Sequence, residues 1–291
     1  MRPIRRLLSP LFAGLWLAAA LLGAAPASAK EVKVELDPAL FGHLDQHDTD
    51  CPLVNCGPSS AANSFLYLQK ANPNLYKGDA TLVPTKNGGG FDLAGVANSL
   101  GAAYMGGCAG AGCGATPSGT LIEDFIIGKM NFFKDRAPGT TVVEAQMNFK
   151  WRSDVATTPD LKNPSPKPAL VQDSTTPTLT WLADQLRKGQ DVELFMANGA
   201  NQHYITLTGI TFDDVTSKGN MKIVDPWTGT EKTIGIEGLT DGFIDTDYKI
   251  GAAGFDYVAH AVAESPVPEP QVFVLLLAGL VVLRVYGRRR S

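Results

Sequence analysis

The feature that most limits how this chain can fold is the stretch Asn55-Cys56-Gly57-Pro58-Ser59-Ser60-Ala61-Ala62-Asn63-Ser64-Phe65. A cysteine followed by Gly-Pro, small residues and an apolar run reads as a loop that feeds directly into a helix. Pro58 suits the first helical turn, where a missing N–H costs nothing. The cysteine then lies near the positive end of the helix dipole, beside unpaired backbone N–H groups. That setting lowers a thiol pKa and favours the thiolate. Cys56 is therefore a candidate nucleophile, and it requires a base.

The two ends read as addresses rather than fold. Residues 1–29 carry Arg2, Arg5 and Arg6, the apolar run Leu11 to Leu22, and Ala27-Ser28-Ala29 before Lys30. That is the pattern of a secretory signal peptide with a small-residue cleavage site. Residues 266–291 hold Val267-Pro268-Glu269-Pro270, the apolar run Val272 to Leu283, and Arg284, Arg288, Arg289 and Arg290. The run is shorter than the roughly 20 residues that cross a bilayer comfortably, so a short or tilted transmembrane helix with its basic end cytoplasmic is expected. Pro-Glu-Pro, a short apolar helix and terminal arginines in that order resemble the PEP-CTERM sorting signal of Gram-negative bacteria. The resemblance implies an exosortase as partner, membrane attachment through the tail before processing, and a final place in the cell envelope, cell surface or extracellular matrix. A plain C-terminal anchor is the competing reading.

Residues 30–265 remain, enough for one sizeable domain or one domain with insertions. The formal net charge is −4 and the end arginines belong to targeting, which leaves an acidic body with no basic patch. Nucleic acid is excluded as a partner on that basis. Composition suggests neither a metal nor an organic cofactor. In an oxidising compartment the four cysteines Cys51, Cys56, Cys108 and Cys113 can form disulfides. Their spacing does not match a zinc ribbon. Cys108 and Cys113 could close on each other or stay free, and a Cys51–Cys56 bridge would consume the candidate nucleophile.

Along the body, Glu31 to Leu36 alternates as an edge strand, and Gly57 to Lys70 is a helix stopped by Asn72-Pro73-Asn74. A short helix opened by Asp92 follows, then one from about Thr120 to Lys134, then a strand from Thr140 to Phe149. Lys150 to Pro177 is proline-rich and reads as a surface excursion. Leu179 to Lys188 is a helix, and strands follow at Asp191 to Met196, His203 to Phe212, Asn220 to Val224, Thr230 to Ile234 and Phe255 to Ala263. Helices first and an antiparallel sheet later predict an α+β fold.

Of the four histidines, His203 has the best setting for a base. It opens a strand after the loop Asn198 to Gln202, held by a rigid element yet able to reach a cleft. Asp225, at the end of the next strand, is one hairpin away and suited to accept from the imidazole N–H, which fixes the tautomer and stabilises the imidazolium. His43 and His47, in a loop near Asp45 and Asp48, read as solvated surface, and His260 as structural. Trp151 and Trp227 are packing residues or substrate platforms.

Three segments resemble the papain-fold cysteine peptidases of the bacteriocin-leader-processing type. They are Cys56-Gly57-Pro58-Ser59-Ser60-Ala61-Ala62, the run Leu182 to Val192, and His203 to Ile210 followed by Val224-Asp225-Pro226-Trp227. The resemblance implies a papain-like α+β fold with the nucleophile helix packed on an antiparallel sheet and an insertion around 72–177. It also implies Cys56 as nucleophile, His203 as general base and acid, and Asp225 as its orienter. Enzymes of this kind carry a glutamine about six residues before the cysteine to hold the oxyanion, and here Asp50 stands there. Gln46 takes that role if residues 51–54 bulge, with the Cys56 N–H or Asn55 as further donors. Two functions follow. One is a secreted peptidase acting on a peptide or protein substrate, and the other a non-catalytic surface or matrix protein of the same fold.

Overall fold

The computed structural model describes residues 29–106, 119–152, 167–199, 201–240 and 242–267. The expected signal peptide, the Pro-Glu-Pro tail with its apolar run, Cys108 and Cys113 lie outside those residues. Among the described residues no helix is long and apolar enough to cross a membrane.

The chain runs β1 (Glu31–Glu35), α1 (Cys56–Ala71), α2 (Leu93–Ser99), α3 (Ile122–Arg136), β2 (Thr141–Met147), β3 (Val171–Gln172) and α4 (Leu179–Arg187). It continues through β4 (Asp191–Asn198), β5 (Asn201–Asp213), β6 (Lys218–Asp225), β7 (Thr230–Thr240) and β8 (Phe243–Thr246). The short strands β9 (Lys249–Ile250) and β10 (Ala253–Gly254) precede β11 (Tyr257–Pro266). The expected α+β architecture is present: helices and one large, almost wholly antiparallel sheet. Asp92 caps α2 as its spacing predicts, accepting from the Gly95 N–H. β3 was not expected. It lies inside the proline-rich segment and pairs parallel to β2. β8 also carries too few apolar residues to announce itself.

Strand pairing closes the sheet on itself. β4 pairs with β5, which pairs onward to β6, β7 and β8, and β11 then joins β8 back to β4. Successive side chains of a strand point to opposite faces, so this ring has two buried surfaces. Val192, Leu194, Met196, Ile205, Leu207, Ile223 and Val258 fill its interior together with Leu182 and Leu186 of α4. Phe195, Ala197, Tyr204, Val224 and Val262 face the helices. Burial on both faces explains why β4 is buried along almost its whole length.

The helical layer packs through aromatic rings. Phe65 of α1 lies 5.0 Å from Phe132 and 4.8 Å from Phe133, both on α3. Side chains of this size each contribute about 1.5–3 kcal/mol by leaving water. The 72–177 segment, expected as an insertion, thus supplies a helix to the central core.

Candidate active site

The site forms where α1 begins and β5 emerges. Cys56 is the first residue of α1, one earlier than the spacing suggested, and Asn55 before it makes no side-chain cap. The helix is seated on β5 by a buried polar contact. Thr206 Oγ1 lies 2.9 Å from Ser60 Oγ and also donates to the Ser60 carbonyl at 3.1 Å. Gly57 lets the two elements approach, because a Cβ there would stand 3.3 Å from both Tyr204 and Thr120 and 3.4 Å from Phe125. Tyr204 is held in turn by stacking on Phe125 and by donating to the Thr120 carbonyl.

This seating brings together the three residues that the sequence singles out. Cys56 is a free thiol and partly exposed. Cys51 is disulfide-bonded while Cys56 is not, so the competing Cys51–Cys56 bridge does not exist. Cys56 hydrogen-bonds His203, and the backbone N–H groups of Tyr204 and Gly57 also point to the sulfur. His203 Nε2 lies 3.0 Å from Asp225 Oδ1. With Nε2 committed there, Nδ1 is the ring nitrogen left for the sulfur.

The electrostatics favour an ion pair. Burial alone raises the Cys56 thiol, but the hydrogen bond and charge of His203, with the two N–H groups, bring it below its ordinary value. Burial pulls His203 down, and Asp225 and Cys56 together lift it to about 9. Asp225 is fully buried, yet His203, Lys232 and the Trp227 N–H hold its carboxyl well below the usual carboxylate range. The three groups together thus bias the site toward thiolate and imidazolium beside an ionised Asp225.

Three supporting side chains were not read from the sequence. Lys232 Nζ donates to Asp225 Oδ2 at 2.5 Å. Asp225 faces Thr230 across the β6–β7 hairpin, so Lys232 is its diagonal neighbour, a relation that the Thr228-Gly229 turn signal could have revealed. Tyr248 and Phe255 flank the imidazole, with ring centroids at 6.0 and 5.6 Å. They come from an irregular segment with no sequence signature.

Gln46 is buried beside the Asp225 turn, its N–H donating to the Pro226 carbonyl. Gly229, at φ 62°, allows this approach, since a Cβ there would stand 2.7 Å from the His43 carbonyl. One Gln46 side-chain N–H is committed to the Pro52 carbonyl at 2.6 Å, and its Oε1 has no partner. Asp50 donates its backbone N–H to Asn98 and is exposed. His47 packs edge-on against Trp227, 4.6 Å between centroids. His43 and His47 are both exposed. His260 is buried against Phe195 and Phe149, and burial pulls it down to about 3.

Elsewhere, Asp191, Glu193 and Glu264 bring carboxyl oxygens within 4.8 Å of one another, close enough to hold a cation. The cation that they meet is the ammonium of Lys129. No protein-family model matches the chain, and no curated protein matches it either.

Proposed function

We propose that this protein is an exported cysteine peptidase of papain-like fold, hydrolysing peptide bonds of a peptide or protein substrate at the cell envelope or surface. In this reading an exosortase sorts it through its PEP-CTERM tail. The observation that carries the reading is the free, partly exposed Cys56 hydrogen-bonded to a buried His203 that leans on Asp225.

The chemistry follows from that geometry. The Cys56 thiolate attacks the substrate carbonyl, and the tetrahedral oxyanion forms near the N-terminal end of α1. His203 gives its proton to the leaving amine. The imidazole then takes a proton from water, which releases the acyl group from sulfur. Asp225 keeps the ring oriented throughout and stabilises it whenever it carries the proton. In this reading Gln46 supplies an oxyanion donor through the side-chain N–H that Pro52 does not take.

A second reading, a non-catalytic surface or matrix protein, is favoured by Asp50 in the expected glutamine position and by the engagement of Gln46 with Pro52. Iodoacetamide labelling of the unreduced protein, read by peptide mass, tests the first reading. Cys56 should label faster than a free thiol at mildly acidic pH, and His203→Ala should abolish that advantage. Equal labelling in the two proteins sinks the proposal. Fast labelling without cleavage of any member of a mixed peptide pool selects the second reading.

A further inference from the structure

The helix-facing side of the sheet carries another reactive group that the triad does not use. On the β4–β11 pair, Glu264 stands opposite Asp191, and Val262 opposite Glu193. Lys129 reaches these carboxyls from α3. All four side chains are at most 1% exposed. Lys129 Nζ lies 2.5 Å from Glu193 Oε2 and also touches Glu264 Oε1. The rings of Phe125 and Phe65 cover it, with centroids at 4.9 and 5.6 Å.

One ammonium can neutralise only one carboxylate, and a buried uncompensated charge is expensive. The surplus carboxyls therefore keep their protons. Burial pushes Asp191 up to about 7 and Glu193 up to about 8, and pushes Glu264, with Asp191 against it, well above the usual carboxylate range. One oxygen of each carboxyl lies within 4.8 Å of the others, two of the carboxyls touch Lys129 Nζ, and none of these buried atoms makes a hydrogen bond of normal geometry. An amine pressed on a protonated carboxyl, with a second carboxyl beside it and all of them buried, has what amide formation needs.

We propose that Lys129 and Glu264 condense into an intramolecular isopeptide bond that fastens α3 to β11. The fraction of Glu193 that is ionised near neutral pH, its proton being held only to about 8, takes one proton from the ammonium and leaves a neutral amine. The interior brings ionic and neutral forms of such a pair close in energy. The Nζ lone pair attacks Cδ of protonated Glu264 and forms the C–N bond. A second Nζ proton passes through the neighbouring carboxyls to the departing hydroxyl, the Cδ–O bond breaks, and one water leaves. Glu193 keeps the first proton, so atoms and charge balance with nothing oxidised or reduced. Fixed proximity replaces the activating agent that amide formation needs in solution. The bond would anchor β11, the strand that runs directly into the C-terminal tail.

Peptide mapping of the purified, reduced full chain tests this. The expected product is a branched peptide joining the Lys129 and Glu264 segments, lighter by one water than its two arms, with no cleavage after Lys129. Linear peptides with a free Lys129 overturn the proposal. So does a water loss located elsewhere, such as a succinimide at Asp241-Gly242. Lys129→Met removes the nucleophile and Glu193→Gln removes the proton acceptor at constant shape, so the branched peptide should vanish in both. Its persistence in Lys129→Met refutes the assignment, and the unmutated chain decides the question even if a variant fails to fold.

Discussion

Replacing Asp225 by Asn removes one charge from the site while keeping its shape and an acceptor oxygen. Asp225 Oδ1 stands 3.0 Å from His203 Nε2. At that distance and an effective dielectric of about 20, the attraction is about 5 kcal/mol. The Lys232 ammonium loses its partner, 2.5 Å away, in the same variant and can turn to water. The net change thus falls within the roughly 1–3 pH units that an adjacent opposite charge shifts a group, about 2 on the imidazole. His203, now held at about 9, should then titrate near about 7. The thiolate loses part of its counter-charge, so Cys56 should label with iodoacetamide about tenfold more slowly at mildly acidic pH. Nitrogen-edited NMR of the imidazole against pH reads the first effect, and labelling reads the second. A ring that still titrates near 9 in Asp225→Asn refutes the claim that the carboxylate charge holds it up. Lys232 is a third exposed and can turn to water, so the variant should stay folded.

Two further outcomes are expected. Thr206→Val deletes the hydroxyl that joins the nucleophile helix to the histidine strand at near-constant volume, and should cost about 1–3 kcal/mol in denaturant unfolding while slowing Cys56 labelling. A variant as stable and as reactive as the parent would show that this contact does not position the helix. Stability should also fall as pH rises from mildly acidic to mildly alkaline. Asp191 and Glu193 hold their protons to about 7 and about 8 in the folded chain, whereas unfolded they ionise near about 4. The folded state thus binds more protons across that window and loses stability as they leave. His203 acts in the same direction, its contribution being complete below about 6.5 and lost as pH passes about 9, while the lowered Cys56 thiol acts in the opposite one, so the carboxyls carry the trend. A denaturation midpoint that is flat or rising over this range refutes protonated burial of those carboxyls.

Much of the site is legible in the chain because its signals are local. Gly57-Pro58 after Cys56 marks a helix start, and the helix begins within one residue of it. His203 and Asp225 lie on strands that apolar alternation and the turn residues delimit. Their meeting across one hairpin follows from antiparallel pairing. Gln46 was reached only as a substitute for an absent glutamine, and the structure puts it near the Asp225 turn with half of its amide already engaged. Lys232, Tyr248 and Phe255 were missed because each acts through register or through a loop path, neither of which leaves a periodic mark.

The sequence by itself determined the helix and strand succession, the α+β class and the choice of Cys56, His203 and Asp225 as one candidate site. These depend on propensity, capping and alternation within about ten residues, scales on which side-chain chemistry acts directly. Tertiary structure alone decided that Cys56 is free while Cys51 is bridged, that the sheet closes into a ring, and that Lys129 meets three carboxyls in the core. Each of those depends on contacts between distant segments. In β4 the same alternation that sends Val192 and Leu194 inward sends Asp191 and Glu193 toward a helix some sixty residues upstream in the chain. No local pattern records which residue waits on the other side.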